Sequence, residues 1–331
     1  MTTKQAVLEL LEKKAGDYIS GSGLAAELSV SRNSVWKAIE ALREDGCEII
    51  AVTNKGYCLA EVGDALSERE IKKHMGDDAE LFTFEIEKLV TSTSDILKKK
   101  ALAGAVEFTV AMAEEQSGGR GRLQKSFFSP RGSGLYISIL LRPKLTIADT
   151  AFITSAAAVA VCEAIEETCG KEPGIKWVND VFLGGGKVCG ILTEAGLSVE
   201  NSAVESAVLG IGINLSDPEG GFTRELAGIA ASVFGSEKVP GGTRNRLAAA
   251  LLKRLRHYYE TLPERGFLPE YKRRSIVTGK KVTVITPLGE KEATALKIDD
   301  DCRLIIKNTD GSIEALNAGE VSMRGNWYGK N

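Results

Sequence analysis

The chain has 331 residues, 43% of them hydrophobic and 26% charged, with a formal net charge of −3 and a pI near 5.7. That length exceeds one ordinary domain, so two or three are expected, and the composition is that of a globular protein with real cores rather than a disordered one. The slightly acidic balance excludes an overall basic field of the kind that draws nucleic acid or anionic membranes to a whole protein. The longest apolar run, Ala151–Ile165, is rich in small residues and too short to span a bilayer, and the N-terminus carries no signal-peptide pattern. Six scattered cysteines without a C-x-x-C pair, and only His74 and His257, make a zinc site improbable and point to reduced thiols. A cytoplasmic protein without a membrane partner is expected.

In chain order, "KQAVLELLEKKAG" sets Val7, Leu8, Leu10 and Leu11 on one helical face and ends at Gly16. "SGSGLAAELSV" predicts a second short helix. "SRNSVWKAIEALREDG" predicts a third, with Ser31 as N-cap, Val35, Ile39 and Leu42 at helical spacing, and Gly46 as the stop. Two strands, "CEIIAV" and "GYCLA", follow around the turn "TNKG". Three helices and a hairpin in this order resemble a winged helix-turn-helix, whose third helix enters the major groove of DNA. On it, Arg32, Asn33, Ser34 and Lys37 would contact bases or phosphates. Residues 1–60 hold seven basic and eight acidic side chains, which also suits a small interaction domain. For a DNA reader, so little charge favours a dimer engaging two half-sites.

A linker is expected near Val62–Leu66, followed by a capping box of Ser67 and Glu70. From there to about Arg273, strand-like and helical segments alternate. The strands are "LFTFEIEKLV", "AVEFTVAMAEE", "GLYISILLRP" and "AVESAVLGIGIN". The helices are "SDILKKKALAG", "TIADTAFITSAAAVAVCEAIEETCG" and "TRNRLAAALLKRLRHYYETL". Several strands precede the long central helix, so an α+β arrangement is expected rather than a regular βαβ wind. Residues 275–325 alternate short strands with the turns "PLGE", "DDD" and "TDGS", the pattern of a small all-β barrel.

Between these elements lies "EEQSGGRGRLQKSFFSP", where Arg120 and Arg122 stand among Gly118, Gly119 and Gly121. Glycine is costly to order, so such a loop is usually holding something; a flexible basic surface loop is the bland alternative. The dinucleotide fingerprint fails at Gln124, and the Walker pattern fails at Val181 and Val188 around "GGGK". Neither a Ser-His-Asp set nor HExxH is present.

Five short motifs remain, in order: "TSTSD" (91–95), "EQSGGRGR" (115–122), "KWVND" (176–180), "GGGKVCGILTE" (184–194) and "GIGIN" (210–214). Together with the N-terminal head they resemble a biotin protein ligase of the bifunctional kind that is also a biotin operon repressor, over nearly the whole chain. The resemblance implies an α+β multidomain fold. Its parts would be a winged helix-turn-helix over residues 1–63, a central mixed α/β ligase domain of class II synthetase-like type over 64–273, and a small SH3-like β-barrel over 274–331. It implies ATP with Mg²⁺ and biotin as ligands, and biotinyl-5′-AMP as both intermediate and corepressor. The implied partners are a biotin carboxyl carrier protein of acetyl-CoA carboxylase or a similar carboxylase, operator DNA, and a second copy of the chain when liganded.

The same resemblance assigns residues. Ser92, Thr93, Ser94, Gln116, Gly119, Arg120, Gly121, Arg122 and Lys187 would meet biotin. Arg122, Lys176, Asn179, Asp180, Asn214 and Arg324 would lie at the ATP. Arg120, Arg122, Asp180 and Lys187 would be catalytic, with no metal held by protein ligands alone and Mg²⁺ arriving with ATP near Asp180. The chemistry brings a carboxylate against a polyanion, so cations and backbone donors are what the site must supply. Three positions depart from the family: Ser94 for asparagine, Val178 for proline, and Phe127, with fewer basic neighbours, for tryptophan. Ser92 or Thr93 could equally cap the helix that follows. Two other readings stay open, a ligand-sensing repressor without catalysis and a lipoate-type ligase.

Overall fold

The computed structural model describes residues 2–14, 17–44, 47, 49–59, 64–122, 125–143, 150–197, 204–286 and 289–323. The chain divides into two compact units, residues 1–67 with Pro240–Gly242, and the remainder.

The first unit contains α1 (Thr3–Lys13), α2 (Gly21–Glu27), α3 (Arg32–Glu44) and a hairpin of β1 (Ile49–Val52) and β2 (Gly56–Leu59). Each helix start is set locally. Thr2 and Gln5 form a reciprocal capping box on α1, the Ser20 hydroxyl accepts from the Gly23 N–H, and the Ser31 hydroxyl accepts from the Ser34 N–H. Val7, Leu11, Leu24, Val35, Ile39 and Leu42 share one core, with Leu8 and Leu10 packed at its margin. The Arg43 guanidinium donates to the Ile49 carbonyl at 2.8 and 3.2 Å, tying the third helix to the hairpin. This is the expected order of helices and strands; Gly16 and Gly46 lie outside the described residues.

The second unit opens with α4 (Glu68–Met75), immediately after Ser67. Its strands β3 (Thr83–Glu87), β4 (Thr109–Ala113), β5 (Gly134–Leu141), β6 (Gly174–Lys176), β7 (Asp180–Leu183), β8 (Gly186–Leu197) and β9 (Val204–Asn214) form one sheet in the order β3-β4-β5-β9-β8-β7-β6. Only β3 and β4 run parallel; every other pair is antiparallel. The helices are α5 (Thr93–Leu102), α6 (Thr150–Cys169), α7 (Thr243–Glu260) and a short α8 (Leu268–Arg273) that sequence periodicity missed. Alanine-rich α6 packs on β6, β7 and β8 and against α7 and α8, because small side chains let the backbones approach. Leu97 of α5 packs with Ala111, Leu140 and Val208 of the sheet. The last five strands, β10 (Lys281–Thr286), β11 (Gly289–Ile298), β12 (Leu304–Asn308), β13 (Ile313–Leu316) and β14 (Glu320–Ser322), form an antiparallel sheet in the order β13-β12-β11-β10-β14. Among the described residues, no helix is long and apolar enough to cross a membrane. All six cysteines are free, four of them buried.

One clasp joins α6 to the chain after α8. The almost fully buried Arg274 guanidinium donates to both Glu166 oxygens at 2.7 Å and to Glu270 at 3.1 Å. Hydrogen bonding to Arg274 holds the Glu166 carboxyl below its ordinary 4.5. A carboxyl with a depressed folded-state pKa stabilises the fold above its unfolded value, and that contribution is lost as pH falls through the lower one. Arg274→Met is therefore expected to cost roughly 2 kcal/mol near neutral pH, less than a fully buried pair because Glu166 is partly solvated. Urea titrations of the variant should also show a shallower loss of stability below pH 4.5 than the wild type.

Candidate active site

The motifs meet on one face of the seven-stranded sheet, and strand alternation explains how. In "GIGIN", Ile211 and Ile213 are buried in the core, so Gly210, Gly212 and Asn214 occupy the opposite face. Their register partners Ser138, Tyr136 and Gly134 on β5, and Gly190 opposite Gly212 on β8, share that face. A Cβ on Gly212 would lie 2.4 Å from Cε1 of Phe127, so glycine there admits the Phe127 ring onto the sheet. The ring also borders Gly190 and meets Tyr136 edge-on at 6.4 Å. Phe127, the expected stand-in for tryptophan, thus lies against the sheet over two bare glycines.

One end of this face is a buried hydroxyl cluster. Thr93 Oγ1 lies 2.7 Å and Ser94 Oγ 3.0 Å from Ser138 Oγ. Gln116 Oε1 accepts from the Thr93 N–H at 2.9 Å, and its Nε2 donates to Ser129 at 2.9 Å. Ser92, also buried, sits at the N-cap of α5 but makes no side-chain capping bond, and Thr93 turns its hydroxyl to Gln116 and Ser138, so neither hydroxyl caps the helix. Ser138 was missed by sequence reasoning, although a lone serine inside the apolar run "ISILL" was a usable signal.

The other end is ionic. Lys187 is in β8, with its backbone bonded on both sides to Ile229 and Ala231 at 2.8 and 2.9 Å. Its ammonium lies 2.6 Å from the buried Asp180 Oδ1, so the two charges are paired. Lys176, the register partner of Asp180, stacks its ammonium 5.4 Å from the Phe182 ring, and burial lowers its pKa. Asn179, in the turn before β7, donates to the Ile191 carbonyl at 2.8 Å, and Asn214 closes β9 by donating to Ala231 at 3.0 Å. Val178 follows Trp177 through a cis peptide bond. Among the described residues no group of three or more His, Cys, Asp or Glu side chains could hold a metal ion.

The glycine-arginine loop lies across this face as a small hairpin, with Gly119 and Phe127, and Gly121 and Lys125, bonded through their backbones. A Cβ on Gly119 would come within 2.4 Å of the Phe127 carbonyl, so no side chain fits. The two arginines diverge. Arg120 pairs with Asp95 at 2.9 Å and approaches Glu194 at 3.9 Å, while Lys98 bridges the same two acids. Arg122 donates to Asn179 Oδ1 at 2.9 Å and to the Gly319 carbonyl at 3.2 Å. Lys125 pairs with Glu320 at 2.7 Å, and Trp177 Nε1 donates to the Cys302 carbonyl at 2.9 Å, so the five-stranded sheet supplies part of the wall. Burial would raise the Glu320 carboxyl, but Lys125 holds it low. Asp95, Glu194, Gly319 and Glu320 were not foreseen. Arg324 lies outside the described residues, as do Leu123 and Gln124. In the first unit, Arg32, Asn33 and Lys37 are exposed on α3, whereas the Ser34 hydroxyl shares its hydrogen with Ser31 at 2.8 Å.

Three family profiles divide the chain in the same order. Residues 3–58 match an HTH domain, residues 87–214 the biotin/lipoate A/B protein ligase family, and residues 277–324 the biotin protein ligase C terminal domain. The class is thereby defined as a ligase domain of the biotin/lipoate type that carries a helix-turn-helix. The chain is similar to the bifunctional ligase/repressor BirA of Bacillus subtilis (strain 168), at 33% identity over 97% of this chain and 99% of that one. It is also similar to the bifunctional ligase/repressor BirA of Escherichia coli (strain K12), at 27% identity over 93% and 94%. Among solved structures, the biotin protein ligase from Aquifex aeolicus in complex with biotin and ATP matches with a TM-score of 0.59 and 25% identity, covering 73% of this chain and 98% of that one. The chain belongs to the family of bifunctional ligase/repressors.

Proposed function

We infer that the protein is an ATP-dependent biotin protein ligase that also represses transcription, a reading carried by its likeness, head included, to bifunctional ligase/repressors over nearly the full length of both chains. In the first step, a biotin carboxylate oxygen attacks the α-phosphorus of ATP, the α–β bridging bond breaks, and pyrophosphate leaves. In the second, the Nε of a carrier-protein lysine attacks the acyl carbon, AMP leaves, and the amine proton is lost. The carrier is a biotin carboxyl carrier protein of acetyl-CoA carboxylase or a similar carboxylase. Domain limits at 1–63, 64–273 and 274–331 fit this division of labour.

The residues divide by chemistry. The hydroxyls of Ser92, Thr93 and Ser94, with Gln116 and the backbone of Gly119 and Gly121, suit a cyclic urea, which offers both donors and an acceptor. Arg120 and Lys187 would neutralise the biotin carboxylate as it meets the α-phosphate, with Arg122 on the phosphate side. Lys176, Asn179, Asn214 and Arg324 would border the nucleotide. Mg²⁺ would arrive on the triphosphate, and the Asp180 carboxylate would face it and then orient the incoming lysine. A sensor without catalysis would have no need of the Lys187–Asp180 pair.

Incubation with biotin, ATP, Mg²⁺ and an apo carrier domain should add the mass of one biotinyl group to the carrier; an unmodified carrier would overturn the ligase reading. Arg32, Asn33, Ser34 and Lys37 would contact operator DNA, with biotinyl-5′-AMP as corepressor and a liganded homodimer as the binding form. Operator binding should then require biotin with ATP and steepen with protein concentration in an anisotropy titration. Tight binding by a ligand-free monomer would refute the corepressor role.

A further inference from the structure

The exposed face of α3 carries a side chain that neither fold stability nor phosphate binding explains. Val35, Ala38, Ile39 and Leu42 are buried and complete the inward face. Trp36 lies on the outward face and is 52% exposed. Its neighbours at helical spacing are Arg32 and Asn33 on the preceding turn and Glu40 on the next, with Lys37 beside it. Helical side chains lean toward the N-terminus, so the indole covers the turn of Arg32 and Asn33. That N-terminal portion is the part of a helix-turn-helix recognition helix that meets base edges.

The chemistry of the groove then selects a partner. Indole offers one N–H donor and a broad apolar surface, and cannot make the bidentate pairs by which arginine or asparagine recognise guanine or adenine. The one apolar group that the major groove displays is the C5-methyl of thymine. Arg32 and Lys37 supply the cations that would seat the helix against phosphates on either side. We propose that Trp36 is a specificity-determining residue of the DNA-binding head, recognising a thymine methyl in each operator half-site by apolar contact. The proposal rests on the repressor reading above and adds the base that the head selects.

The test uses the full chain with biotin, ATP and Mg²⁺ and a library of random-sequence duplexes. Wild type is expected to enrich a two-fold-related site with a thymine in each half, and Trp36→Ala to lose selection at that position while retaining the rest of the pattern. Replacing that thymine with deoxyuridine removes only the methyl. Wild-type binding should then weaken by about fourfold per half-site, the worth of one buried methyl group. Trp36→Ala should be indifferent to the change, and Trp36→Phe should keep part of the sensitivity. Equal methyl sensitivity of Trp36→Ala and wild type at every thymine of the selected site would overturn the proposal. If wild type enriches no sequence at all, the repressor reading falls, and the proposal with it. Unchanged carrier biotinylation by Trp36→Ala would confine its defect to the head, and retention of the rest of the selected pattern would show that the head is folded.

Discussion

Replacing Lys187 with alanine is expected to slow biotinyl-adenylate formation by two to three orders of magnitude in a protein that stays folded. Lys187 is anchored at its backbone on both sides, to Ile229 and Ala231, so its ammonium is delivered from a rigid strand rather than from a loose turn. It stands 2.6 Å from Asp180 and beside Gly190 on the sheet face that carries Phe127. A preorganised cation of this kind acts where two anions are pressed together, and removing one such stabiliser typically costs about 10²–10³ in rate. Pyrophosphate release under saturating biotin and ATP is the measurement, with thermal unfolding as the control for fold. Near-wild-type release from the folded variant would remove Lys187 from the adenylation step. A loss confined to KM would instead make it a ground-state binder.

Removal of the second loop arginine should show itself as leakage of the reactive intermediate. The Arg122 guanidinium ties the loop to two distant elements, Asn179 of the "KWVND" turn and the Gly319 carbonyl of the five-stranded sheet. Arg122→Gly breaks both ties and withdraws a cation from the phosphate side. Charge-assisted bonds contribute on the order of 1.5–3 kcal/mol, which is roughly ten- to over a hundredfold in retention. Dissociation of preformed labelled biotinyl-5′-AMP should accelerate by that factor, and the escaping anhydride should acylate lysines of an unrelated bystander protein. Binding of biotin alone should change much less. An unchanged dissociation rate in the chase would mean that Arg122 is no phosphate clamp.

The two arginines also show where sequence reasoning reached its limit. Standing one glycine apart, Arg120 and Arg122 were expected to face a single ligand. Nothing in that spacing indicates that Arg120 also pairs with Asp95 and approaches Glu194, or that Arg122 also bonds Asn179 and Gly319. Spacing in a loop specifies how far apart two side chains can be. It does not specify which surfaces lie on either side of the loop, because those come from strands and helices remote in the chain. The hydroxyl cluster has the same origin, since Ser138 reaches Thr93 and Ser94 only because β5 lies beside β9 under the start of α5.

What the sequence determined by itself is the set of features that depend on near neighbours. The caps at Ser31 and Ser20, the inward stripe of Val35, Ile39 and Leu42, and the alternation of "GIGIN" follow from periodicities of 3.6 and 2 and from backbone groups a few residues away. Motif order across the chain carried the family in the same way. Only the tertiary structure decided the strand order, in which β9 inserts between β5 and β8, and with it the shared face on which Phe127 roofs Gly190 and Gly212. It alone brought Gly319 and Glu320, at the start of β14, against the glycine-arginine loop, nearly two hundred residues earlier in the chain. Contacts of that sequence separation are selected by the burial of whole sheet and helix faces, a property of the assembled fold that no local pattern encodes.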